Sequence, residues 1–263
     1  MNAPFADLPV TPRLPALFVG HGSPMNAIED NAWSRSWRDL GERLPTPQAI
    51  LCVSAHWMTR GATLVHVGEH PRTIHDFGGF PAALYAQQYP APGAPDVAAA
   101  AGGLASLQPD LQWGLDHGAW SVLMHLFPQA DVPVFQLSLD LAKSPQAQFE
   151  LARDLKSLRE RGVLLVGSGN LVHNLRRMQP GGQPYEWAEE FDARMTAAIE
   201  RRDYAAVIEA EKLGELMRLA HPTTEHFLPL LYALGVADAA DELRWFNQGF
   251  DLGSISMRSF VLS

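Results

Sequence analysis

The chain has 263 residues, 47% of them hydrophobic, and a formal net charge of −9. That is enough apolar material for one large core, and the acidic balance argues against nucleic-acid or anionic-membrane partners, which select clustered Lys and Arg. A single cysteine, Cys52, excludes an internal disulfide and a thiolate zinc cluster.

Residues 1–12 carry no basic segment followed by a long apolar one, and no stretch reaches 18 apolar residues. The expectation is a soluble, cytoplasmic protein with no membrane contact. The first strand is expected at 16–19. Trp33, Trp37, Leu40 and Leu44 then recur at helical spacing and mark an amphipathic helix. Strands follow at 49–53, where Cys52 reads as a small core residue, and at 63–67. Residues 68–95 are rich in Gly, Pro and aromatics without periodicity, the character of a lid or binding loop. An apolar helix over 119–127 leads to a strand at 134–139. Phe149, Ala152, Leu155 and Leu158 mark a helix that ends by Gly162, followed by a strand at 163–166. Trp187, Phe191, Met195 and Ala198 mark another helix, and Thr223 or Thr224 caps one expected to start at Glu225. Several strands are apolar on consecutive residues, as strands covered on both faces are. The expectation is an α/β fold: one domain over 1–263, with a central, mostly parallel or mixed sheet flanked by helices.

Ten histidines occur, and their places matter more than their number. His21 follows the first strand, His56 the second and His173 the fifth, each in a setting of Gly or small residues. Carboxyl ends of parallel strands line the ligand crevice of an α/β sheet, so these three can converge there. His221 and His226 lie just before and within the start of the last expected helix. Imidazole is the commonest metal-binding side chain and suits Zn and Fe(II). His66 and His125 read as structural, and His70 and His75 as surface or loop contacts. His117, between Asp116 and Gly118, stays open between lining the site and a structural role.

These residues resemble the 4,5-DOPA extradiol dioxygenase family, a branch of the class III extradiol ring-cleavage dioxygenases. The matching pieces are Gly20-His21-Gly22-Ser23-Pro24-Met25, Ser54-Ala55-His56-Trp57, Asp76-Phe77-Gly78-Gly79-Phe80-Pro81, Leu115-Asp116-His117-Gly118-Ala119-Trp120, Gly167-Ser168-Gly169-Asn170-Leu171-Val172-His173-Asn174 and His221-Pro222-Thr223-Thr224-Glu225-His226. Residues 253–261 resemble the family's closing strand. The resemblance implies one divalent metal, Fe(II) for ring cleavage or Zn(II) as bound. It implies His21 and His56 as ligands and His226, with His221 as the alternative, as the third. His173 maps to an acid/base histidine that some descriptions also count as a ligand. His117 and the loop with Phe77 and Phe80 shape the pocket. The implied substrates are a small catechol and O2. Two other readings compete: a chelatase inserting a divalent metal into a tetrapyrrole, suggested by His21-Gly22-Ser23 alone, and a metal-binding interaction protein that has lost the reaction.

Overall fold

The structure, a computed structural model, describes residues 8–263. The expectation for residues 1–12 therefore falls partly outside the described residues, at 1–7. Among the described residues the strands are β1 (Ala16–Gly20), β2 (Ala49–Thr59), β3 (Leu64–His66), β4 (Arg72–Thr73), β5 (Gln108–Asp110), β6 (Gly114–Leu115), β7 (Val134–Asp140), β8 (Val163–Gly169), β9 (Leu243–Phe246), β10 (Phe250–Asp251), β11 (Ile255–Ser256) and β12 (Ser259–Leu262). The α-helices are α1 (Ala32–Gly41), α2 (Ala82–Tyr85), α3 (Pro95–Ala105), α4 (His117–Leu126), α5 (Pro145–Asp154), α6 (Glu186–Glu200), α7 (Tyr204–Ile208), α8 (Glu215–Ala220) and α9 (Leu228–Gly235).

Eight strands form one sheet in the order β5-β3-β7-β2-β8-β1-β12-β9. The central run β7-β2-β8-β1 is parallel, whereas β12 and β9 close one edge antiparallel, so the sheet is mixed. Every residue of β1, β7 and β8 is buried. Successive residues feed two cores. Phe18, Leu51 and Leu165 pack with α5, α6 and α9, while Leu17, Ile50, Cys52 and Leu164 pack with α1 and α4. Burial, followed by the charge of Asp116, pushes the Cys52 thiol well up, as for a core residue rather than a nucleophile.

Most departures from expectation lie where the site forms. β2 runs on to Thr59 with a register shift against β7 between Val53 and Met58, so His56 sits on an irregular stretch of the strand rather than after it. Such irregularities re-aim side chains beside active sites. α4 begins at His117 because Asp116 caps it, its Oδ1 accepting the Ala119 N–H at 3.2 Å. The helix through Phe149 ends at Asp154 and continues as a 3-10 turn, Lys156–Arg161, closed by Gly162 in the left-handed region. The helix expected from Glu225 begins only at Leu228. The His226 carbonyl accepts the Asn170 N–H at 2.9 Å instead of a helical partner, which holds 222–227 as a turn. A Cβ on Gly169 would strike that same carbonyl, so only glycine permits this approach. The closing segment is two short strands, β11 and β12, broken at Met257 and Arg258. No helix among the described residues is long and apolar enough to cross a membrane.

Candidate metal centre

β1, β2 and β8 deliver their carboxyl ends to one place. Gly22, in the left-handed region at φ +60°, turns the chain immediately after His21. One ring nitrogen from each of His21, His56 and His226 lies within 4.8 Å of the others. His21 is 1% and His226 6% exposed, whereas the His56 side chain is 19% exposed, so the cluster is buried on two sides and reached by solvent at His56.

The other nitrogen of each ring is anchored. Ser168 donates its hydroxyl proton to the Gly118 carbonyl at 2.5 Å, so its oxygen is left to accept from His21 Nδ1, 3.0 Å away. His56 Nδ1 lies 3.2 Å from Asp76 Oδ2, and His226 Nδ1 lies 3.3 Å from Glu225 Oε1. Ionised carboxylates only accept, so these rings carry their proton on Nδ1 and leave Nε2 bare. His21 Nε2 and His56 Nε2 face each other at 3.2 Å. Two lone pairs at that distance repel unless a cation sits against both. Two nitrogen ligands of a tetrahedral ion at ordinary Zn–N lengths are about 3.3 Å apart. The donor set therefore fits a divalent metal, and the anchors are the partners that metal-binding histidines usually have.

Electrostatics favour the neutral, ligand-competent form at His21 and His226 but the charged form at His56. Burial, then the charges of His56, His117 and His173, hold His21 well below the usual histidine range. Burial and the neighbouring imidazoles do the same to His226. Burial also opposes a charge on His56, but Asp76 and Asp116 outweigh it and raise its pKa. Asp76 resists burial through His117 and His56, which hold its carboxyl well below the usual range. Neutral imidazoles are the ligand-competent form.

The remaining predicted residues divide. His117 joins the cluster's edge, its Nδ1 3.0 Å from Asp76 Oδ2 and its ring 3.9 Å from that of His56. His173 stacks parallel on His226 with centroids 3.4 Å apart, and among the described residues its ring nitrogens have no hydrogen-bond partner. Burial, then the charges of His221, His56 and His117, pushes His173 down to about 3, so it is neutral at ordinary pH. His221 is not brought into the cluster. Its Nε2 lies 3.0 Å from the Leu171 carbonyl, and its ring packs edge-on against Phe191 and Phe227. His125 is held by the Asn26 carbonyl, and His75 by the Gln87 carbonyl. Phe77 meets the His117 ring edge-on at 5.5 Å and Phe80 at 5.4 Å, forming an aromatic wall beside the imidazoles.

The model of the catalytic LigB subunit of aromatic ring-opening dioxygenase matches residues 15–257. The chain belongs to this LigB family. Among LigB-type relatives, "4,5-DOPA dioxygenase extradiol" of Escherichia coli (strain K12) is 47% identical, covering 94% of each chain. The protein of the same name from Beta vulgaris is 38% identical over 92% of this chain and 94% of its own. A solved structure of an uncharacterized Escherichia coli K12 protein superposes with a TM-score of 0.82 at 41% identity, over 95% of this chain and 100% of that one. A LigB match of this extent sets aside the chelatase reading, which rested on three residues after the first strand.

The sequence offered Asp116 as an orienting or capping residue and Glu225 as a neighbour of the ligand rather than a ligand, but assigned Asp76 and Ser168 no role. Asp76, Ser168 and Glu225 orient the imidazoles, and Asp116 anchors the floor. Its carboxylate accepts from Ser54 Oγ at 2.5 Å and Gln136 Nε2 at 2.9 Å. Asp76 heads a Gly- and Phe-rich run and Ser168 lies between glycines at a strand end, which were the available signals.

Proposed function

We propose that this protein is a metal-dependent extradiol dioxygenase that opens the ring of catechol-type, DOPA-like substrates with O2. The observation that carries it is the convergence of bare imidazole nitrogens from His21, His56 and His226 beside two further histidines, His117 and His173, that are not needed to hold an ion. His21, His56 and His226 hold one divalent metal. Bound there as Fe(II), the metal supplies a chelating position for two adjacent phenolic oxygens and a route for electrons to O2, whereas redox-silent Zn(II) supplies only the first.

The chain's own groups do the rest. Phe77 and Phe80 give an aromatic wall for the ring and help exclude water. Neutral His173 takes the proton of the second catechol hydroxyl, and the negative charge left on the substrate favours the imidazolium it forms. His117, oriented by Asp76, supplies a second neutral imidazole at the pocket wall. The ring opens beside, not between, the hydroxyl-bearing carbons, with both atoms of O2 entering the product. Residues 1–263 act as one catalytic domain. A cytoplasmic location is part of this reading, supported by a composition with one cysteine, which needs no oxidising compartment.

The test is to strip the protein of metal and reload it anaerobically with Fe(II) or Zn(II). L-DOPA and simpler catechols are then added in air. The iron form should take up oxygen with a coloured ring-opened product, and the zinc form should not. An iron form that consumes no oxygen across the panel would overturn the reading and leave a metal-binding protein without the reaction.

A further inference from the structure

Asp76 belongs to no strand or helix, yet it touches more of the cluster than any other anchor. Its Oδ2 lies 3.2 Å from His56 Nδ1 and 3.0 Å from His117 Nδ1, and its Oδ1 accepts the His117 backbone N–H at 2.9 Å. The side chain is only 17% exposed. A carboxylate has no proton to give, so both rings must be the donors. That choice leaves Nε2 bare on His56, where it faces His21, and bare on His117, where no described residue bonds it. The next residue, Phe77, lies edge-on to His117 and packs on Phe80. The same carboxylate thus ties an otherwise irregular loop to the imidazoles.

We propose that Asp76 is the positioning residue of this site: one carboxylate sets the tautomers of His56 and His117 together and fastens residues 76–80 over them. Its consequence for metal affinity rests on the function proposed above, whereas the tautomer assignment does not.

Asp76→Leu keeps nearly the same bulk but offers no acceptor, so neither the two ring N–H groups on Oδ2 nor the His117 backbone N–H on Oδ1 is accepted. The readouts are imidazole nitrogen–proton correlation spectra of the metal-free protein and the zinc dissociation constant from chelator competition. In the wild type, both rings should show the proton on Nδ1. In Asp76→Leu at least one ring should switch tautomer, and zinc affinity should fall roughly 10- to 100-fold, as for other partners of metal-binding histidines. Asp76→Glu, which keeps two acceptors, should recover part of that loss. Retention of both Nδ1 protons in Asp76→Leu, or zinc affinity within about twofold of wild type, would overturn the proposal. If Asp76→Leu does not fold, the wild-type spectrum decides, because a ring without a proton on Nδ1 contradicts the assignment. If the wild type binds no zinc, the metal-centre reading fails while the spectra still judge Asp76.

Discussion

Two buried polar clusters sit at opposite ends of the same strands and are finished differently. At the amino ends of β1 and β8, Arg159 is 1% exposed and every N–H of its guanidinium is used. It donates to the Leu14, Val236 and Leu262 carbonyls and to both oxygens of Asp241. At the carboxyl ends, the imidazoles of His21, His56 and His226 are satisfied on one nitrogen only. A cluster closed on all sides welds the first strand to the last and has nothing left to offer a ligand. A cluster closed on one side holds its groups still and leaves the other side reactive. The fold tolerates the second because Ser168, Asp76 and Glu225 bear the orienting role.

The sharpest way to break this contrast is to cut each cluster once. Arg159→Leu leaves buried Asp241 and three carbonyls short of a donor, so urea denaturation should show a loss of about 3–5 kcal/mol. Metal per folded chain should remain at one. His56→Ala should do the reverse, with zinc content by elemental analysis falling to near zero and a much smaller change in the metal-free denaturation midpoint. If Arg159→Leu loses metal selectively, or His56→Ala keeps it, the division of labour is wrong.

Within the histidine end, His173 offers a finer cut, because it stacks on His226 without belonging to the converging set. His173→Ala should lower kcat by roughly 10²- to 10⁴-fold, the usual weight of an acid–base group. Metal content, measured on the same preparation, should stay near wild type. A variant that loses its metal would make His173 a ligand and pass the proton-transfer role to His117.

The smallest effect vanishes at neutral pH. Burial holds His221 down to about 4, against the ordinary 6.5. The folded protein therefore refuses a proton that the unfolded chain takes up below about 6.5. Stability is intact above that pH and declines between about 6.5 and 4, by on the order of 3 kcal/mol at the acid end. His221→Phe keeps an aromatic ring against Phe191 and Phe227 and removes this liability, but loses the ring contact to the Leu171 carbonyl. Urea midpoints of metal-free protein at pH 7, 5.5 and 4.5 should fall less steeply in the variant. Equal slopes would place the acid sensitivity elsewhere, in the cluster itself.

How far the chain could be read depends on which forces placed each residue. The five apolar runs read as strands are β1, β2, β3, β7 and β8, because consecutive β-branched and aliphatic residues have few other places to go in a two-faced sheet. The edge strands β5 and β9 carry no such pattern, since an edge is half wet and tolerates Gln108, Asp110 and Arg244. His21 and His56 were legible as neighbours because strand polarity alone brings the carboxyl ends of adjacent parallel strands together. Between His221 and His226 the sequence favoured the second, but on the expectation of a helix start that the structure does not place there. They share one short segment, and the choice between them is made by backbone bonds from the β8 turn, Asn170 N–H to the His226 carbonyl, and by the Leu171 carbonyl against the His221 ring. Asp76 was least legible of all, because no periodicity governs a loop and its partners lie 20 and 41 residues away.

Local pattern was thus sufficient for the α/β class, the two-faced core and the gathering of histidines at one end of the sheet, since each follows from hydrophobic spacing and strand direction. Which nitrogen of each ring is free, which of two nearby histidines turns inward, and which carboxylate holds two rings at once were decided only on folding. Those outcomes rest on hydrogen bonds between segments far apart in the chain, whose angles and distances exist only once the strands are in register.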